Sequence, residues 1–251
     1  MIWALLGALL IGISLGLLGS GGSILTVPVL VYLVGEPEKV AIAESLGVVA
    51  AISLIGMIPY AIRKDVHWKS VIYFGIPGMI GTYGGASLSQ YLSGTTQLII
   101  FAVVMILAAG MMIRNGIDSD KHKELSVSKV VLLVEGLVVG VVTGLVGVGG
   151  GFLIIPALVL VAGLNMRIAV GTSLVIIAAK SALGFYKYLD VLREESLNVN
   201  WELLGIFTVI GILGSFVGGR LSQKVPQKAL KRGFGFFLIV MGVFILGSNL
   251  F

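Results

Sequence analysis

Two short clusters carry the residues best suited to chemistry in this 251-residue chain, Gly19-Ser20-Gly21-Gly22-Ser23 and Gly147-Val148-Gly149-Gly150-Gly151. Glycine accepts the backbone of a tight reversal and lets a ligand approach the main chain. A helix that starts just after such a break turns unsatisfied N–H groups, and about half a positive charge, toward it. Such a place suits an anion. Ser20 and Ser23 add hydroxyl donors in the first cluster only. Lys180, inside the apolar run SLVIIAAKSALGF, could hold an anion or carry a coupling proton, or its long stem could take the ammonium out to the interface. Glu44 and Glu135 lie five or six residues inside the ends of apolar segments, where they could relay protons or sit hydrated. Ser45, Thr172 and Ser173 follow the clusters in the two halves, and could line a cavity or bond back to helix carbonyls.

Catalysis finds less support. Gly12-Ile13-Ser14-Leu15-Gly16 matches the pattern GxSxG, but a nucleophilic serine needs a base, and the two histidines, His67 and His122, stand in polar loops. HExxH is absent, and a GxGxxG loop is broken by Ile24 and Phe152. With no cysteine there is no disulfide, thiolate metal site or cysteine nucleophile. No catalytic residue, metal or cofactor is expected, and the protein reads as something other than an enzyme.

The elements that must position these residues follow from composition. Charged residues make up 12 % of the chain and apolar ones 57 %, with a mean hydropathy of +1.09. Soluble domains carry about 25 % charged residues, so the chain has too little polar surface to clothe one. Its apolar runs are continuous and do not alternate, which predicts an all-α integral membrane protein rather than an outer-membrane barrel. The net charge of +5 is then a matter of placement across a bilayer, not a nucleic-acid footprint. MIWALLGALL has no basic n-region and the apolar stretch runs on, so no signal peptide is expected. Apolar segments cover 2–18, 22–34, 40–61, 71–92, 97–113, 129–146, 151–163, 168–187, 201–220 and 233–251. Six are long enough to cross, given about 20 residues per span. The 13 residues of 22–34 or 151–163 reach only about 20 Å. Each follows a glycine cluster, which predicts re-entrant hairpins over 2–34 and 129–163.

The chain also repeats itself. Shifted by 128, GLLGSGGSILTVP (16–28) overlies GLVGVGGGFLIIP (144–156), and Ser45-Leu46 overlies Ser173-Leu174. Later the shift becomes 133, where GTYGGASLSQ (81–90) matches GSFVGGRLSQ (214–223). Two homologous halves result, 1–115 and 128–251, joined by a linker at 116–127. If each half crosses an odd number of times, 13 basic residues share one side against three, Lys39, Lys187 and Arg193, on the other. Positive-inside bias prefers that count, which inverts the halves, puts the linker in the cytoplasm and leaves both termini outside. Charge does not separate three crossings plus a hairpin from five crossings; the short 22–34 and 151–163 favour the hairpin. The expected fold is two inverted-topology repeats. Each has a re-entrant broken-helix hairpin and three spans, 40–61, 71–92 and 97–113, then 168–187, 201–220 and 233–251. Inverted repeats with broken helices are the architecture of secondary transporters, with the breaks meeting near the midplane. Gly12/Gly16, Gly81/Gly85, Gly140/Gly144 and Gly214/Gly218 are spaced as GxxxG packing pairs.

The duplicated G-x-x-G-x-G-G-(G/S)-x-x-x-x-P segments, the two-times-four helical layout and the length resemble the TauE/SafE family of sulfite and organosulfonate exporters. The resemblance implies proton-motive export of a small sulfur-containing anion across the cytoplasmic membrane, with protons and the lipid bilayer as the other partners. The second cluster departs from the first, with Val148 and Gly151 where Ser20 and Ser23 stand. Two other readings stay open: a passive anion channel that uses the same tips as a filter, and a membrane assembly protein with no transported ligand.

Overall fold

The computed structural model describes residues 2–114, 129–222 and 224–250, and among them helices alternate with short connections and there is no strand. The linker expected at 116–127 and His122 lie outside the described residues. Four helical stretches are long and apolar enough to cross a membrane: Glu38–Ile62, Met166–Glu194, Trp201–Ser222 and Arg232–Asn249.

The first half opens with α1 (Ile2–Leu18) and α2 (Gly21–Pro28), and α2 continues through a π turn, Val29–Val34. The second half opens alike, with α8 (Lys129–Val146), then α9 (Gly151–Pro156) and a π turn, Ala157–Val161. Both π turns begin directly after a proline. Pro28 and Pro156 have no N–H for the carbonyl four residues back, and their rings crowd it, so the following turn widens. Between the two openings lie α3 (Glu38–Gly56), α4 (Ile58–Ile62), α5 (Trp68–Ser70), α6 (Ile76–Leu88) and α7 (Gly94–Arg114). α10 (Met166–Glu194), α11 (Trp201–Ser222) and α12 (Gln227–Leu250) complete the chain.

Two boundaries differ from the sequence expectation. The 71–92 segment is interrupted, because a π turn at Val71–Gly75 precedes Pro77 and a 3-10 turn at Ser89–Tyr91 follows α6. The polar stretch 187–200 gives its first half to α10, which runs on to Glu194. Tyr188, Val191 and Leu192 bury one face of that extension, while Lys187 pairs with Asp190 at 3.6 Å on the other. A run rich in charge is here the amphipathic end of a helix.

The GxxxG pairs pack on one another across the halves. Helices α1 and α11 run parallel: a Cβ at Gly12 would fall on the Gly211 carbonyl, one at Gly16 on that of Ser215, and one at Gly218 on that of Ile13. α8 and α6 do the same, with Gly140 on the Gly78 carbonyl, Gly144 on Thr82 and Gly85 on Val141. There is no room for a side chain at these positions, so backbone meets backbone. α3 with α4 runs antiparallel to α10, with Leu46 against Gly184 near one end and Tyr60 against Gly171 near the other. Exchanging the halves maps α1·α11 onto α8·α6, and the pairs α3·α10 and α7·α12 onto themselves.

Candidate functional site

Each hairpin breaks at a glycine with a left-handed backbone, Gly19 (φ +71°) and Gly147 (φ +68°), 128 residues apart. A side chain at either would strain that conformation, so the sequence fixes where the helix stops. Ser20 then occupies the N-cap of α2, but its hydroxyl caps nothing; it is fully buried and has no partner among the described residues. Ser23 Oγ donates to the Ser20 carbonyl at 2.8 Å, so its single hydrogen is committed within the tip. The second tip has another left-handed glycine, Gly150 (φ +74°), at the N-cap of α9. Val148 is fully buried. The tips adjoin: a Cβ at Gly151 would lie 2.5 Å from Ser20 Cβ and 2.6 Å from Ile177 Cδ1. Two half-helix starts therefore face one another beside α10.

The hairpins differ in how they close. α2 lies back along α1, with Gly21 against Ser14, and Gly22 against Leu15 and the Ile11 carbonyl. Farther down, a Cβ at Gly7 would stand 3.7 Å from Val29 Cβ. At the second tip Gly150 meets Thr143 of α8 as Gly22 meets Leu15, but α9 beyond it packs on α10, α7 and α2, and Gly149 sits among Ser181, Val49 and Ile177 of α10 and α3. Position 135 is the counterpart of Gly7. The glutamate there cannot admit the close approach that glycine permits, and its Oε2 is buried without a partner. Ser173 Oγ donates to the Val170 carbonyl at 2.8 Å and lies 3.2 Å from that of Gly19, which holds the first tip. Ser45, its counterpart, is buried with no partner.

The remaining sequence candidates scatter. Thr172 faces away from the tips, and its Oγ1 accepts from the His67 N–H at 2.9 Å. Glu44 takes the same position in the first half, where its Oε1 accepts from the Asn200 N–H at 2.8 Å. Glu44 is fully buried rather than hydrated, and its Oε2 is unpartnered. Lys180 lies on the α6 side of α10: a Cβ at Gly78 would meet its Cδ at 3.2 Å. Its Nζ is buried with no partner. In the other half, Gly211 meets Ile52 Cγ1 at 3.0 Å, so Lys180 stands where the first half has an isoleucine. Ser14 of the GxSxG match lies mid-helix against Gly21, and His67 bonds Ser70 and Thr172.

Two tyrosines that sequence reasoning passed over fix the hairpins from outside. The last carbonyls of a helix have no intrahelical donor. Tyr60 Oη donates to the Gly16 carbonyl at 3.1 Å and stands 3.1 Å from Ser222 Oγ. Tyr188 Oη shares its hydrogen between the Gly144 and Leu145 carbonyls, both at 3.3 Å, and accepts from Gln97 Nε2 at 2.9 Å. Gln97 also donates to the Leu145 carbonyl at 2.7 Å. Tyr60 and Tyr188 are 128 residues apart, so the repeat register was the signal that would have found them.

Residues 4–245 match the family model described as "Sulfite exporter TauE/SafE". A "Probable membrane transporter protein" of Xylella fastidiosa is 30 % identical over 243 residues, covering 94 % of this chain and 91 % of that protein. One of Methanocaldococcus jannaschii is 29 % identical, covering 95 % and 94 %. The "Probable membrane transporter protein YunE" of Bacillus subtilis is 28 % identical, covering 94 % and 93 %. No solved structure matches the chain. Apolar helices long enough to span, glycine-broken hairpins and a match across nearly the whole length agree: this multi-pass membrane protein belongs to the sulfite exporter TauE/SafE family of membrane transporters.

Proposed function

We propose that the chain is a secondary transporter that exports a small sulfur-containing anion, sulfite or an organosulfonate, at the expense of the proton gradient. Two inverted-topology repeats, 1–115 and 128–251, would each contribute a re-entrant hairpin and three spans in the cytoplasmic membrane. Both termini would lie outside and 116–127 in the cytoplasm. Support for the inversion comes from direction: α3 and its counterpart α10 run antiparallel, as inverted equivalents must. The observation that carries the anion reading is the buried, unpartnered Ser20 hydroxyl at the start of α2, touching Gly151 at the start of α9. Each half-helix runs on through its π turn, and each start offers N–H donors and positive potential to one shared point.

The two hairpins also differ in conformation although their sequences repeat. In a molecule of inverted halves, exchanging the two conformations would turn a site open to one side into a site open to the other. Alternating access follows from that exchange. Ser45 and Ser173 flank the tips as substrate contacts, and Thr172 holds the loop before α5. Lys180, Glu44 and Glu135 are the proton-coupling candidates, because each is an ionisable group with an unpartnered buried atom.

Purified protein in proteoliposomes, under an imposed proton gradient, tests the reading with sulfite, taurine, sulfate and a carboxylate. Uphill movement of sulfite or taurine is expected. Purely downhill flux at very high rate would make the protein a channel, and no flux or binding across the panel would make it an assembly protein. Lys180→Ile, which copies the first half, is expected to leave downhill exchange but remove its dependence on the proton gradient.

A further inference from the structure

Two more hydroxyls bear on the site, and the tips account for neither of them. Ser53 and Ser181 are 128 residues apart, one on α3 and one on α10, and both are fully buried with unpartnered Oγ atoms. Ser45 shares that state. On α3, positions 45, 49 and 53 follow one another at intervals of four and share a face, as 173, 177 and 181 do on α10. These faces meet the tips. A Cβ at Gly149 would fall on Ser181 Oγ and 3.1 Å from Val49 Cγ1, Gly151 lies on Ile177, and a Cβ at Gly19 would be 3.0 Å from Ser173 Oγ.

The antiparallel register orders the hydroxyls. Leu46 is level with Gly184 and Tyr60 with Gly171, and between them Val49 and Ser181 both border Gly149. Passing through the bundle from the Glu44 end, the chain therefore presents Ser45, Ser181, Ser53 and Ser173, alternately from α3 and α10. Successive rungs are four helical residues apart, about 6 Å. Leaving a buried hydroxyl unsatisfied is costly, and serine here competes with alanine at no loss of packing. Three such hydroxyls, beside two helix starts, have no partner among the described residues and are free to meet a ligand.

We infer that the transported ion moves along this ladder and that Ser53 and Ser181 are substrate-contacting hydroxyls at its centre, on either side of the tips. The ligand class is a small oxyanion, whose several acceptor oxygens can be passed from one hydroxyl to the next while helix N–H groups hold the charge. This rests on the anion-carrier reading. Ser173, bonded to the Val170 carbonyl and drawn to that of Gly19, is the one rung already taken, so the ladder is closed at the His67 end and unlatched at the Glu44 end.

The chain has no cysteine, so Ser53→Cys and Ser181→Cys each give a single thiol. In proteoliposomes the thiols meet anionic MTSES and cationic MTSET, with rates normalised to those with a free thiol. Ala102→Cys, buried on α7, is the control. Both ladder cysteines are expected to react far faster than the control, to prefer MTSES, and to be protected by isethionate. Both cysteines as silent as the control, in protein that still moves sulfite, would overturn the ladder and spare the anion reading. Reaction at both sites with a preference for MTSET would leave a path and remove the anion. A second measurement needs no labelling. Ser53→Ala and Ser181→Ala are expected to weaken apparent anion affinity about tenfold each, with recovery in the threonine variants. Unchanged affinity in both alanine variants would again exclude the two hydroxyls.

Discussion

The two hairpins are near copies in sequence and unlike in shape. The first is shut: glycines at 7, 21 and 22 let α2 and its π turn lie on α1, and Ser173 reaches the Gly19 carbonyl. In the second, Gly149 rests on α3 and α10, and only Gly150 keeps to its own first arm, against Thr143. Where Gly7 allows contact in the first, the second carries Glu135. The comparison teaches that a duplicated fold need not be a symmetric one.

The common scaffold is the first thing to break. Gly16→Leu and Gly144→Leu each drive a side chain into a helix backbone, and both are expected to abolish recovery of monodisperse protein in size-exclusion chromatography. If only one does, the two interfaces are not equivalent. Next come the tips. Gly149→Val is expected to end transport and lower the melting temperature while the protein still inserts, because its Cβ would fall on Ser181 Oγ and crowd Val49. Gly21→Val should end transport and also lower the melting temperature, since its new methyls meet Ser14 on the same hairpin.

A cross-linking pair sharpens the contrast directly. Disulfides favour Cβ separations near 3.8 Å, and 3.7 Å is available between positions 7 and 29. Gly7→Cys/Val29→Cys should oxidise readily, and the equivalent Glu135→Cys/Ala157→Cys only slowly on a non-reducing gel. Should a transported anion speed the second pair and slow the first, the hairpins exchange shapes during transport; identical rates throughout would end that account. The smallest effect concerns the tyrosine latches. Tyr188→Phe removes a hydroxyl with three partners and is expected to cost about 1–2 kcal/mol, against about 1 kcal/mol for Tyr60→Phe. Thermal unfolding in detergent measures both.

Much of the scaffold was legible beforehand for a simple reason. Hydrophobic length, glycine breaks and a 128-residue repeat are local or additive properties, and lipid enforces them on any chain. The GxxxG pairs and both tips fall where spacing put them. The end of α10 did not, because the charges after Lys187 resemble a loop until their apolar partners Val191 and Leu192 are seen to be buried. Among the candidate residues, spacing could not tell that Ser20 is unpartnered, that Ser23 and Thr172 are already bonded, or that Lys180 turns to α6.

By itself, then, the sequence determined that this chain is a helical membrane protein with an internal repeat and a glycine cluster at each helix break, because glycine takes up that backbone without strain and lipid admits few alternatives. Only the tertiary structure decided which hydroxyls are left without partners and which hairpin is closed. Those depend on what lies across each helix face, and distances between residues more than a hundred positions apart are not encoded in local sequence.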